Sequence, residues 1–288
     1  MAGTVRRTSV LLPLILVLLL AFIFPASADN ALNGYSSDTG YVYVQLGQYP
    51  QTAEGESRPV LWRVLAADEQ KCILLSEYIL FARCMNASLL DYRDEFKGDF
   101  ARTDLCAYLN TDFAAAAFTE DELSLLLPLE NFGKVFIPSA EDLENKGYGL
   151  GITLKGVRNA KKILKDPGLR AWGTDWAVKN NGYDPAEYTN PKEKLEGSSR
   201  KKMPLHELRL FVYSGNWANH SPYWTRDRST ADGRQARVIK SQGTIGRIEV
   251  GRDNIGVRPM VQLAQGGFEI ASGSGAMDDP YVIVKKPE

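Results

Sequence analysis

Residues 254–263 read NIGVRPMVQL. Ile255, Val257, Met260, Val261 and Leu263 have the composition of a buried strand, yet Arg258 and Pro259 stand in its middle. Proline gives a sheet ladder no donor, and a buried guanidinium is costly unless it is paired. The two residues therefore suit a strand at an edge or a bulge. There the planar fork of Arg258, with its five donors, can cross beneath long loops to backbone carbonyls or to a carboxylate. Asp227 and Asp253 are the candidate partners.

The segments around this stretch supply the rest of a sheet. Residues 223–226, 236–240, 244–250 and 256–263 read as four short strands, with a hairpin turn at Ser241-Gln242-Gly243. A last extended piece, 280–284, follows the Gly- and Ser-rich ASGSGAMDD. At the other end of the chain, 41–46, 60–66 and the KCILLS segment form an antiparallel meander punctuated by Gly47, Pro50 and Gly55. Between these two blocks lie helices. Residues 103–118 are apolar on one side through Leu105, Tyr108, Leu109 and Phe113. Thr119 with Glu122 makes a capping box that opens 120–127, and Ser139 with Asp142 opens another short helix after a strand at 134–137. A further amphipathic turn spans 174–180, capped by Thr174. Strands, then helices, then strands predict an α+β domain whose mainly antiparallel sheet is closed by both ends of the chain.

The first 28 residues have the pattern of a signal peptide. Arg6 and Arg7 precede the apolar run 10–24, and Ala26-Ser27-Ala28 offers a small-residue cleavage site. The run is shorter than the roughly 20 residues that span a bilayer, so cleavage and export without a stable membrane span are expected. Loss of the two arginines leaves 32 basic against 35 acidic residues, which gives no electrostatic case for nucleic acid. Residues 29–40 read as a loose leader, 41–263 as one domain, 184–204 as a charged solvated insertion and 264–288 as a tail with a terminal strand.

Several segments, taken in order, resemble the DUF6273 family, a bacterial extracellular domain of unknown function. They are VQLGQYPQT, VLWRVL, CILLSEYIL, DLCAYLNTDFAAAAFTEDEL, KVFIPSAEDL, RAWGTDWAVKNNG, YWTRD and GVRPMVQL, across residues 41–263. The family has no established activity. Its closing pattern is similar to the C-type-lectin-like fold, which also hosts formylglycine-generating sulfatase-modifying enzymes. The resemblance thus implies an α+β, C-type-lectin-like architecture. The chain departs from the commoner pattern at Thr225 and Asp227, where relatives often carry an apolar residue and a serine.

The cluster richest in recognition chemistry is 214–234, SGNWANHSPYWTRDRSTADGR. Sugars stack on aromatic faces while amides and acids bond their hydroxyls. Trp217, Asn219, His220, Tyr223, Arg226 and Asp227 are therefore the candidate ligand residues, and a cell-surface glycan or peptide is the expected partner. Trp62 and Trp224 are assigned to the core, with Arg258 and Pro259 as structural residues. Trp172 and Trp176, four apart, fit one helical face. Only two histidines exist, His206 and His220, and no CxxC occurs, so neither a three-histidine centre nor a zinc site of usual spacing is expected. Cys72 reads as a buried thiol, while Cys84 and Cys106 fit a disulfide or free thiols equally. No cofactor is expected. The reading is an exported, non-catalytic recognition or scaffold domain, and the alternative is a formylglycine-generating-type or hydrolytic enzyme using the same cleft.

Overall fold

The computed structural model describes residues 32–95, 97–150, 169, 171–183, 222–229, 233–240 and 245–287. The signal-peptide pattern, the 184–204 insertion, the 241–243 turn, His206, Trp217, Asn219 and His220 lie outside the described residues.

Three strands build the scaffold: β1 (Val42–Pro50), β2 (Ser57–Ala67) and β3 (Lys71–Ser76), paired antiparallel in sequence order. Val60, Trp62 and Val64 fill one side of β2 while Arg63 and Leu65 are buried on the other, so this strand is covered on both faces. Trp62 stands opposite Val44, donates from Nε1 to Leu46 O at 2.8 Å and stacks on Phe118. It is core, as its alternation predicts.

After β4 (Phe81–Ala82) come α1 (Leu89–Asp94) and the capped helical run. Thr103 caps α2 (Asp104–Tyr108), which passes through a π turn over Leu109–Phe113 into α3 (Ala114–Ala117). Asn110, in the π turn, donates to Cys106 O, Phe132 O and Val135 O and accepts from Val135 N, pinning the following loop. The Thr119–Glu122 capping box opens α4 (Glu120–Leu125). That helix stops two residues before its expected end, because Leu126–Leu127 turns into β5 and pairs with a later strand. Strand β6 (Val135–Phe136), the Ser139–Asp142 box with α5 (Ala140–Glu144), and α6 (Asp175–Asn180) capped by Thr174 follow as read.

The C-terminal third supplies β7 (Tyr223–Arg228), β8 (Gln235–Ile239), β9 (Ile245–Glu249), β10 (Gly256–Val257), β11 (Met260–Ala264), β12 (Phe268–Ser272) and β13 (Tyr281–Lys285). Among the described residues these strands divide between two sheets. The larger runs β12–β13–β1–β2–β3–β11–β5, with β6 also on β11; the smaller runs β4–β10–β7–β8–β9. Strand β13 lies parallel to β1 and β11 antiparallel to β3, so both ends of the chain meet in one sheet. The architecture is α+β with mostly antiparallel pairing.

The stretch 256–263 is two strands rather than one. Strand β10 belongs to the smaller sheet and β11 to the larger, and Arg258 and Pro259 are the residues that cross between them. Pro259 needs no N–H there, and its carbonyl accepts from Ser76 N at 2.9 Å. Arg258 is fully buried, and its Nε donates to Ser76 O at 2.6 Å. Neither expected carboxylate reaches it: Asp253 is exposed, and Asp227 accepts from Ala140 N instead.

The structure bears on three further expectations. The leader is docked from Leu32 onward: Leu32 is buried and Tyr35 N bonds Leu65 O. Residues 264–288 carry, besides the terminal strand β13 on β1, a second strand, β12, paired with it. Trp172 precedes α6, where Gly173 bridges to Ile79, so it shares no helical face with Trp176.

Candidate functional site

Strand β7 is the centre of the 214–234 cluster, and its pairing explains what its side chains do. Trp224 stands opposite Val238 and Arg228 opposite Ala236, so Thr225, Arg226 and Asp227 face a single residue, Arg237. A bulge of this kind bends the strand and re-aims side chains. Arg226 leaves the ladder to donate from N to Pro138 O and from Nη1 to Ile137 O, and it pairs with Asp142 at 2.7 Å. The Asp227 carboxylate accepts from Ala140 N at 2.6 Å, in the first turn of α5. Two expected ligand residues therefore clamp α5 onto the sheet. Asp227 retains one open side, a hollow of about 510 Å³ shared with Glu141, Glu144 and Arg237.

Tyr223 is corrected outright. It is fully buried and donates from its hydroxyl to Leu169 O at 2.7 Å, so it stands on no open surface. Trp224 is buried as expected, with Nε1 donating to Arg83 O. Of the expected ligand residues that are described, none offers an unoccupied side chain on an open surface.

The open surface lies one residue further along. Arg228 ends β7 and reaches from Nη1 to Lys97 O at 3.1 Å. Lys97 and Gly98 follow α1 with φ of 51° and 74°, a left-handed pair that reverses the chain and returns Gly98 N to Tyr92 O. Such backbone is uncommon for lysine. Asp99 then caps a short 3-10 helix, Phe100–Arg102, and Arg102 Nη1 donates to Glu95 O. Glycine is required at two walls: a Cβ on Gly98 would stand 2.6 Å from Arg228 Cβ, and one on Gly233 2.7 Å from Arg93 Cγ.

These elements enclose a groove of about 390 Å³ lined by Tyr92, Arg93, Lys97, Gly98, Arg228, Ser229 and Gly233. Three of those residues are cations and none is a carboxylate. Arg93 also holds Asp94, and this pairing keeps the Asp94 carboxyl below its ordinary range. A second hollow of about 620 Å³ continues past Lys97, Gly98 and Arg228 to Glu95, Asp99 and Arg102. Tyr92 forms the floor. Burial pushes its hydroxyl up to about 12, with Asp227 and Asp99 adding to the shift and Arg228 opposing it, so the phenol stays protonated. The sequence reading missed this site because its members come from 92–102 and 228–233. Their only local signal was the glycines between charged residues.

All three cysteines are free, so the Cys84–Cys106 disulfide is not formed. Cys72 donates from Sγ to Gln265 Oε1, and burial raises its thiol to about 12; Cys106 is raised to about 11 in the same way, and half-buried Cys84 is raised as well. Reactive cysteines need the opposite shift. Among the described residues, no three His, Cys, Asp or Glu side chains converge as metal ligands. Comparison with family models, with curated proteins and with solved structures found no match to this chain.

Proposed function

We propose that this chain is an exported, non-catalytic recognition domain that binds acidic carbohydrate in the groove between α1 and the end of β7. The supporting observation is the lining itself: Arg93, Lys97 and Arg228 around a space in the size range of small-ligand sites, with no carboxylate among the described lining residues. Arginine matches carboxylate, sulfate and phosphate groups through its planar fork, and lysine adds a mobile point charge. Arg228 is held on Lys97 O and Arg93 on Asp94, so these two guanidiniums are positioned before a ligand arrives. Export rests on the N-terminal pattern, and membership of the DUF6273 family rests on the ordered segments quoted above. Among the described residues no helix is long and apolar enough to cross a membrane. The enzyme alternative finds no support in thiols whose protons are held above the ordinary range.

The test is calorimetric titration with a polygalacturonate oligomer, a neutral glucose oligomer and an acidic peptide, at low and high salt. The acidic saccharide binds, salt weakens it, and the neutral one does not bind. Lys97→Gly removes the ammonium at a backbone glycine adopts freely, and weakens binding about two- to fivefold, the worth of one exposed ion pair. Absence of saccharide binding, or binding of the peptide alone, overturns the carbohydrate reading.

A further inference from the structure

The residues behind the sheet crossing form a second, buried cluster. Arg63 on β2 stands opposite Leu75 on β3, and Leu75 stands opposite Met260 on β11. Glu77 follows directly on β3 and Arg258 stands two residues before β11, where Ser76, next to Glu77, accepts from Arg258 Nε and donates to Pro259 O. Arg63 is 1% exposed, Arg258 0% and Glu77 9%. Glu77 gives both of its oxygens to Arg63, accepting from Nε at 2.9 Å and from Nη2 at 2.8 Å. Burial opposes the charge on Arg63, yet Glu77, with Tyr43 and Tyr41, outweighs it and holds the guanidinium well above its ordinary value.

Both oxygens of that carboxylate are turned to Arg63, and neither bonds Arg258. Its Nη1 and Nη2, with Nη1 of Arg63, are buried donors without an acceptor among the described residues. Among the described residues, two cations and one carboxylate leave a buried excess of one positive charge. The aromatic neighbours do not cancel it: Arg63 lies 4.2 Å over the Tyr41 ring and Arg258 5.7 Å from the Tyr223 ring, contacts worth roughly 1–2 kcal/mol each. An uncompensated buried charge costs more than that. Both guanidiniums bear on one point, the Tyr223 phenol: burial raises its pKa, while the charge of Arg258, its hydrogen-bonding approach to the phenol and the charge of Arg63 pull it back; that neutral phenol cancels no charge. Water can satisfy an N–H, but it carries no charge to offset the excess.

We infer that the protein binds a small monoanion, of halide size, between the Arg63 and Arg258 guanidiniums. The anion supplies the acceptor for the three orphaned nitrogens and brings the cluster to neutrality. It also braces the point where the chain passes from the smaller sheet to the larger. This site is separate from the groove, and its failure would leave the groove reading intact.

The experiment pairs melting curves with anomalous diffraction. Sodium bromide and sodium sulfate are titrated at matched ionic strength, and crystals are soaked in bromide. Sulfate, excluded from protein surfaces, is the stronger non-specific stabiliser, so a general salt effect favours it. The site predicts the reverse at low concentration: a saturating rise in Tm of several degrees in bromide. It also predicts an anomalous peak between the two guanidiniums. Arg258→Met abolishes both; should that variant not fold, the two wild-type measurements decide alone. A melting response that follows the non-specific order, with no peak, overturns the inference. A rise without the peak places the anion elsewhere and overturns it too, and a peak without the rise marks an adventitious ion only.

Discussion

The two sheets use the same backbone chemistry to opposite ends. In the larger one, β2 is buried on both faces, and the shift of register against β3 leaves Trp62, Arg63, Val64 and Leu65 all in the interior. In the smaller one, the bulge in β7 turns Arg226 and Asp227 out of the ladder, and the strand ends on the exposed Arg228. The first arrangement keeps side chains in the interior on either face of the strand. The second releases them to hold a helix and to face a groove. The comparison separates scaffold from working surface.

The largest effect should fall on the scaffold. Trp62→Ala removes a fully buried ring and its bond to Leu46 O, and should cost about 3–5 kcal/mol in urea unfolding. A loss below 1 kcal/mol would mean that the larger sheet does not carry the stability.

Next comes the clamp. Arg226→Ala breaks the Asp142 pair and the bond to Ile137 O, leaving partly buried partners behind, and should cost about 1–3 kcal/mol. If saccharide binding survives once the variant is folded, Arg226 is confirmed as a positioning residue for α5. Loss of binding in a folded variant would return it to the ligand face.

A pH titration reads both regions together. Cys72, Cys106 and Tyr92 all have folded values raised above their unfolded ones, to about 12, about 11 and about 12 from 9.0, 9.0 and 10.0. The folded state thus keeps protons that the unfolded chain gives up, so the stability they add is full below about pH 9. It is lost progressively as pH rises towards 12. Tm measured between pH 7 and 11 should be flat at first and then fall. A rise over the alkaline range would contradict the burial assigned to these groups.

The smallest stability effect should come from the groove. Lys97 holds a φ of 51°, which glycine adopts without penalty, so Lys97→Gly should leave stability unchanged or raise it by up to about 1 kcal/mol. A loss instead would mean that the lysine side chain supports the turn.

The same contrast governs what was legible beforehand. Strands with period-two alternation, capping boxes at Thr119 and Ser139, and the core positions of Trp62 and Trp224 carry their signal within a few residues. The duties of Arg226 and Asp227 do not, because their partners at 137–142 are more than eighty residues away and a bulge breaks the alternation. The Arg258-Pro259 interruption was legible as an oddity but not as a change of sheet, since local pattern cannot say which neighbour each half will find. The groove escaped for the same reason: residues 93, 97 and 228 come together only in space.

The account stands most directly on hydrogen exchange followed with and without the polygalacturonate oligomer. It predicts added protection at residues 92–102 and 228–229, with the amides of β1, β2 and β3 unchanged. Protection confined to the larger sheet, or none at saturating ligand, would contradict it.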